Sequence, residues 1–301
     1  MNRTYTVIGP GAVGTFLAAS LYRAGFPVTL ADYKSERSQR LSQNGIRLIQ
    51  DSKEFTLSVP VYSGLETSPH SDTCVVCIKS YSNELFLQKN SEYLTRFSNI
   101  LIVQNGIAWI DLYSDSFDDC ILLGGIAYFG VTLLEEGSIR LAGTGPMRIG
   151  PVSPGRSTTH QDIAQDLNKA GIQTESADSI QKEAWKKLLV NLGINPLTVL
   201  YNCKNGELLD SGEREHTLET VVSEGVETAG ACGFVFDEQD TIEAVKETCR
   251  LTAANVSSML QDVRARKSTE LEAITGAVLA KAQQHGIDTP KNREVYTALA
   301  M

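Results

Sequence analysis

Lys187, Asn191 and Asn195 recur every four residues along Trp185-Lys186-Lys187-Leu188-Leu189-Val190-Asn191-Leu192-Gly193-Ile194-Asn195-Pro196-Leu197, a segment otherwise apolar on nearly every side. A helix that is apolar all round belongs in a core. Steps of four advance about 40° around its axis, so the three polar side chains share one face. An ammonium buried without a partner costs on the order of several kcal/mol or loses its proton. The stripe must therefore face an anion, a polar ligand or water, unless it closes into a structural network. Lys186 lies about 100° off that face. Further on, Asn255, Ser258 and Asp262 fall at spacings of three and four, the pattern of one helical face. Glu270 follows the basic run Arg264-Ala265-Arg266-Lys267. Two structural alternatives stand beside these: Glu270 as a first-turn acid behind a Ser268 or Thr269 cap, and Asp262 held by Arg264 or Arg266.

A desolvated lysine has a lowered pKa and suits proton donation near neutrality. Asparagine and serine can orient hydroxyl and carboxylate oxygens, and Glu270 can hold a hydroxyl while balancing the lysine. Given a hydride donor, carbonyl reduction fits every part. Gly9-Pro10-Gly11-Ala12-Val13-Gly14 is a G-x-G-x-x-G between a short apolar strand and a helix, the context in which that motif binds a dinucleotide. Its glycines admit a tight turn and a pyrophosphate, which meets the helix N-terminus. The next strand ends at Asp32, where an acid accepts from a ribose 2′-hydroxyl and favours NADH. Tyr33, Lys34 and Arg37 follow, able to stack on adenine or neutralise a phosphate. On these residues alone the balance tips slightly to NAD. Lys79 and Gln104-Asn105-Gly106 stand at the carboxyl ends of two more strands, where open parallel sheets bind ligands.

These residues need elements to hold them. Strands are predicted at Tyr5–Ile8, Val28–Ala31, Thr73–Ile78, Ile100–Val103, Cys120–Phe129, Gly137–Leu141, Met147–Ile149 and Gln173–Ala177. Helices alternate with them at 12–24, 35–43 and 81–97, and residues 46–62 read as short edge strands. That alternation predicts a Rossmann-type α/β domain with a mostly parallel sheet over residues 1–176. From there the pattern turns helical, over 180–201, 214–232, 238–252, 254–266, 270–285 and 290–300, predicting an all-α domain over 177–301. The chain has 301 residues, 42% hydrophobic and 21% charged, with a net charge of −9. That acidity argues against nucleic acid and acidic membranes as partners. No apolar run approaches the ~20 residues of a membrane span, and no secretory signal is evident. The six scattered cysteines read as reduced thiols, so a cytoplasmic protein is expected, monomeric or a homodimer, without a metal.

At these positions the sequence resembles the ketopantoate reductase (2-dehydropantoate 2-reductase) family along essentially its whole length. The specific parts are Lys79, Gln104-Asn105-Gly106, Trp185 to Thr198, Asn205-Gly206-Glu207-Leu208, and Ser257 to Asp262 followed by Thr269-Glu270. The resemblance implies reduction of 2-dehydropantoate to (R)-pantoate with NADPH, a step towards pantothenate and coenzyme A. It implies Lys187 as general acid and Glu270 as the carboxylate that orients the substrate. Asn105, Asn191, Asn195, Asn255 and Ser258 would contact substrate, with Lys79 near both nicotinamide and substrate and Gln104 beside the cofactor. Two departures stand out. Many members carry an arginine just after the second strand, where this chain reads Ala31-Asp32-Tyr33-Lys34. A histidine is common where Leu141 stands. Two other functions compete: a related dehydrogenase acting on a hydroxy acid or a phosphorylated substrate, which would need Arg264 and Arg266 turned inward, and a non-catalytic dinucleotide sensor.

Overall fold

The apolar runs Tyr5 to Ile8, Thr73 to Val76 and Asn99 to Ile102 are too short for helices and are buried at every position, the mark of central parallel strands. The computed structural model describes residues 3–117, 120–153 and 158–300. The chain divides into two units, one made of residues 1–104 and 109–183, the other of 105–108 and 184–301.

The first unit runs β1 (Tyr5–Ile8), α1 (Ala12–Arg23), β2 (Val28–Ala31), α2 (Ser35–Asn44), β3 (Ile46–Gln50), β4 (Lys53–Leu57), β5 (Val61–Tyr62), β6 (Thr73–Val76), α3 (Asn83–Leu94), β7 (Asn99–Ile102), α4 (Ala108–Ser114), β8 (Ile121–Ala127), β9 (Gly130–Glu135), β10 (Ser138–Gly143), β11 (Met147–Pro151), α5 (Thr159–Lys169) and β12 (Thr174–Ser176). Eight strands form one sheet in the order β12-β11-β8-β7-β6-β1-β2-β5. Every pair is parallel except β8 with β11. Chain order reverses at β1, between β2 and β6, and ligands of such sheets bind at the carboxyl ends beside a reversal of this kind.

A second sheet, β4-β3-β10-β9, differs from the expected edge strands. It covers the outer side of α1, so that helix is packed on both faces and Gly14 to Leu21 are all buried. β3 is therefore an inner strand of its own layer. Its alternation is weak because Ile46 and Leu48 are buried while Arg47 pairs with Glu54 on β4. Leu141 on β10 packs against the core of this unit, so where a histidine is common this chain has an apolar contact.

The second unit is helical: α6 (Ile180–Leu200, beginning in the first unit), α7 (Gly212–Ala231), α8 (Glu238–Leu251), α9 (Ser258–Arg264), a π-helical turn (Glu272–Gly276), α10 (Ala277–His285) and α11 (Pro290–Leu299). Its core gathers Leu189, Leu197, Leu218, Val222, Val245 and Cys249. α6 lies tightly against α7 and α8. A Cβ on Gly193 would stand 2.8 Å from Val222 and Val245, and one on Gly225 2.7 Å from Leu192. α11 is fastened differently. The buried Glu224 of α7 accepts from the Lys291 and Asn292 backbone N–H groups at 2.8 and 2.9 Å and from the Asn292 amide at 2.7 Å, capping that helix from outside.

Candidate active site

The glycine turn joins β1 to α1. Gly9 has φ +92°, and a Cβ there would stand 2.9 Å from the Ile78 side chain; one on Gly14 would lie 2.1 Å from the Gly9 carbonyl oxygen. Both positions demand glycine. Around Gly11 nothing lies within 4 Å of such a Cβ, so backbone faces open space at the helix start. Gly11 is also the N-cap, α1 has no side-chain cap, and its first turn carries no acid. These residues fit a pyrophosphate, whose charge meets the helix N-terminus and its N–H groups.

At the end of β2, Asp32 is 1% exposed and both its carboxylate oxygens accept from the Arg37 guanidinium. The bidentate bond holds the guanidinium above its already high pKa. Tyr33 is exposed, with Lys34 and Arg37 near its ring. Arg40, one turn along α2, pairs with Glu136 at 2.8 Å.

Lys79, at the end of β6, is half-buried and opens the 3₁₀ turn Ser80–Ser82. Gln104 is 7% exposed, and its amide exchanges two hydrogen bonds with Asn83 at 2.9 and 2.7 Å. Its side chain is committed to fixing the loop after β7.

In the second unit the stripe of α6 is half-buried at Lys187 and Asn191 and buried at Asn195, while Lys186 is exposed. Burial lowers the Lys187 pKa to about 8, against the upward pull of the Glu270 charge. Glu270 is 6% exposed and accepts from the Asn105 amide at 3.0 Å. Asn105, Lys187 and Glu270 thus converge from three separate stretches of chain. Asn195, on the same stripe, is 7% exposed.

Asn255 does not share a helical face with Ser258 and Asp262. α9 begins only at Ser258, because the Ser257 hydroxyl takes the Leu260 N–H at 3.2 Å and caps the helix there. Asn255 precedes it, exposed, its carbonyl accepting from the Asn205 N–H at 3.1 Å. Sequence reasoning missed what ties α9 to the stripe. The Thr198 hydroxyl donates to the Asn195 carbonyl at 2.9 Å and meets the Ser257 hydroxyl at 2.6 Å. The signal was present: Thr198 stands one helical step of three beyond Asn195. Arg264 is exposed and donates to Asn202 at 3.1 Å, and Arg266 is exposed too, so neither serves as a buried phosphate ligand.

A doubly covered parallel sheet with this glycine turn defines a Rossmann-type dinucleotide-binding protein carrying a helical unit. The sequence profile described as "Ketopantoate reductase PanE/ApbA" matches residues 5–154, and that of "Ketopantoate reductase PanE/ApbA C terminal" matches 179–301. The chain belongs to the ketopantoate reductase family. Among its relatives, a 2-dehydropantoate 2-reductase of Halobacterium salinarum is 30% identical over 285 residues, 94% of this chain and 93% of that protein. One of Vibrio cholerae is 31% identical over 290 residues, 96% and 94% of the two chains. The same fold is found in a D-mandelate dehydrogenase solved with NADH and anilino(oxo)acetate, with a TM-score of 0.90, 21% identity and coverage of 99% of this chain and 97% of that one. Among the described residues no helix is long and apolar enough to cross a membrane.

Proposed function

We propose that this chain reduces 2-dehydropantoate to (R)-pantoate, binding the dinucleotide with its first unit and the 2-oxo acid with its second. The observation that carries the reading is the convergence of Lys187 with the buried Glu270 carboxylate that Asn105 holds at 3.0 Å, where burial lowers the Lys187 pKa to about 8. The relatives named above as 2-dehydropantoate 2-reductases support the choice of substrate.

The bound nicotinamide supplies a hydride to the 2-carbonyl carbon. The carbonyl oxygen then gains negative charge, and Lys187 donates a proton to it from Nζ. Glu270, held by Asn105, accepts a hydrogen bond from the substrate's terminal hydroxyl. Asn191, Asn195 and Ser258 orient its carboxylate and carbonyl oxygens, with Asn255, three residues before α9, and Lys79 as further ligands. On the dinucleotide, Gly9 to Gly14 cradle the pyrophosphate and Tyr33 meets the adenine.

NADPH is the proposed cofactor. A free Asp32 carboxylate would repel a 2′-phosphate, but Arg37 neutralises it and brings a guanidinium to the end of β2. Lys34 adds a second cation there. A phosphorylated-substrate dehydrogenase is disfavoured by the exposure of Arg264 and Arg266, and a mere sensor has no need of a tuned lysine. The test follows cofactor oxidation at 340 nm (approximate wavelength of the nicotinamide band) with 2-dehydropantoate and other 2-oxo acids, against each cofactor. The highest kcat/KM is expected with 2-dehydropantoate and NADPH. A higher value with another oxo acid would replace the substrate, and a preference for NADH would return Asp32 to the ribose.

A further inference from the structure

Asn105 and Gly106 are neighbours on one loop, and they reach Glu270, just before a helical segment, and Ala273 within it. Asn105 holds the Glu270 carboxylate at 3.0 Å. Gly106, at φ +79°, comes so close that a Cβ there would stand 2.2 Å from the Ala273 carbonyl oxygen and 3.2 Å from the Ala273 Cβ. The Glu270 carbonyl accepts from the Ile274 N–H at 3.0 Å, which joins Glu270 to the helical segment, so the loop touches this stretch twice, at 270 and at 273.

Ala273 belongs to the π-helical turn Glu272–Gly276, in which one extra residue is accommodated per turn. An extra residue rotates everything before it by about 100° relative to the helix beyond. The far end is fixed, since Val278 and Ala282 of α10 are buried. The π turn therefore decides which way Glu270 points. Its upkeep is visible in the buried Thr275 hydroxyl, which has no hydrogen-bond partner among the described residues. On the other side, the Tyr296 hydroxyl of α11 donates to the Glu272 carboxylate.

We propose that Gly106 and the π-helical turn Glu272–Gly276 form a positioning device that aims the Glu270 carboxylate at the substrate's hydroxyl and at Lys187. Gly106 is thus a positioning residue, and this role rests on the function proposed above. A side chain at 106 pushes Ala273 away and carries Glu270 off Asn105.

The test compares Gly106→Ala with Gly233→Ala. Gly233 has φ +89° in the same unit with nothing within 4 Å of an added Cβ, so that variant bears the dihedral strain alone. Gly106→Ala is expected to lower kcat/KM for the oxo acid about 100-fold, the effect of misplacing a reacting group by roughly 1 Å. Its KM for NADPH should match that of Gly233→Ala, while its melting temperature should fall further because the added Cβ meets the Ala273 backbone. In ¹³C-lysine NMR spectra, Lys187 of Gly106→Ala should titrate at lower pH than in the wild type, because the Glu270 charge has receded. Tyr296→Phe, a mild surface change, should move the Lys187 titration in the same direction by less, and serves if Gly106→Ala folds poorly. A Lys187 titration unchanged in both variants, with kcat/KM for Gly106→Ala like that of Gly233→Ala, would overturn the proposal. The titration needs no turnover, so a wild-type protein inert towards 2-dehydropantoate would remove the function while still deciding the clamp.

Discussion

An ammonium that loses hydration gives up its proton more readily, and Lys187 is held at about 8 by the opposition of burial and Glu270. Below that pH it is charged and able to donate. The reduction rate should therefore be level at neutral pH and fall as pH rises through about 8, reporting deprotonation of the acid. Lys187→Ala should lower kcat about 10²- to 10⁴-fold, the usual worth of a general acid, while leaving NADPH affinity by fluorescence titration near wild type. Turnover like that of wild type, or an alkaline limb surviving in the variant, would remove Lys187 from the proton transfer. The stripe could be read from the sequence because polar residues at steps of four are conspicuous on an apolar helix. The Asn105–Glu270 bond could not, since 165 positions separate its partners. Nor could the Arg37–Asp32 pair, because Arg37 could equally have faced a phosphate.

Helices and their caps set where these side chains stand. The Thr198–Ser257 contact ties the start of α9 to α6, with one hydroxyl proton going to Asn195 and the other completing the pair. Thr198→Val removes the acceptor for the proton of the buried Ser257 hydroxyl, which keeps only the Leu260 N–H. A loss of about 1–3 kcal/mol in urea unfolding is expected, together with a raised KM for the oxo acid through Ser258. A variant as stable as wild type with an unchanged KM would show that α9 is held by other contacts. Element boundaries were legible where punctuation was strong: β1 and β2 lie where expected, and α6 runs through Pro196 to Leu200. The sequence predicts α9 from residue 254, four residues before its start at Ser258, because Asn255, Ser257 and Ser258 are all good capping residues. β9 and α5 were passed over. Leu133 and Leu134 are adjacent and both exposed, so β9 shows no alternation, and α5 buries His160 and Asp166 beside its apolar residues.

Across the molecule each unit has its own core, and the proposed function gives each unit its own ligand. Hydrogen exchange should show this as two footprints. NADPH at about 100 times its Kd should add roughly 2.7 kcal/mol to the stability of what it binds and protect amides of residues 9–15. The oxo acid should protect 187–195 and 257–260. Protection by the oxo acid confined to the first unit would contradict the proposed division of labour. The overall architecture was readable because strand-helix alternation gives way to helices alone. The second sheet was not, since β3 joins β10 across some ninety intervening positions and no local pattern announces such a partner.

The carboxylate of Glu224 has a consequence for the chain's last dozen residues. Three of its donors come from Lys291 and Asn292, so cutting the chain before them strands an anion in the interior of α7. Such an orphan costs on the order of 3–5 kcal/mol. The final helix is thus a plug rather than a tail, and shortening the protein from that end spoils the scaffold long before it reaches Glu270.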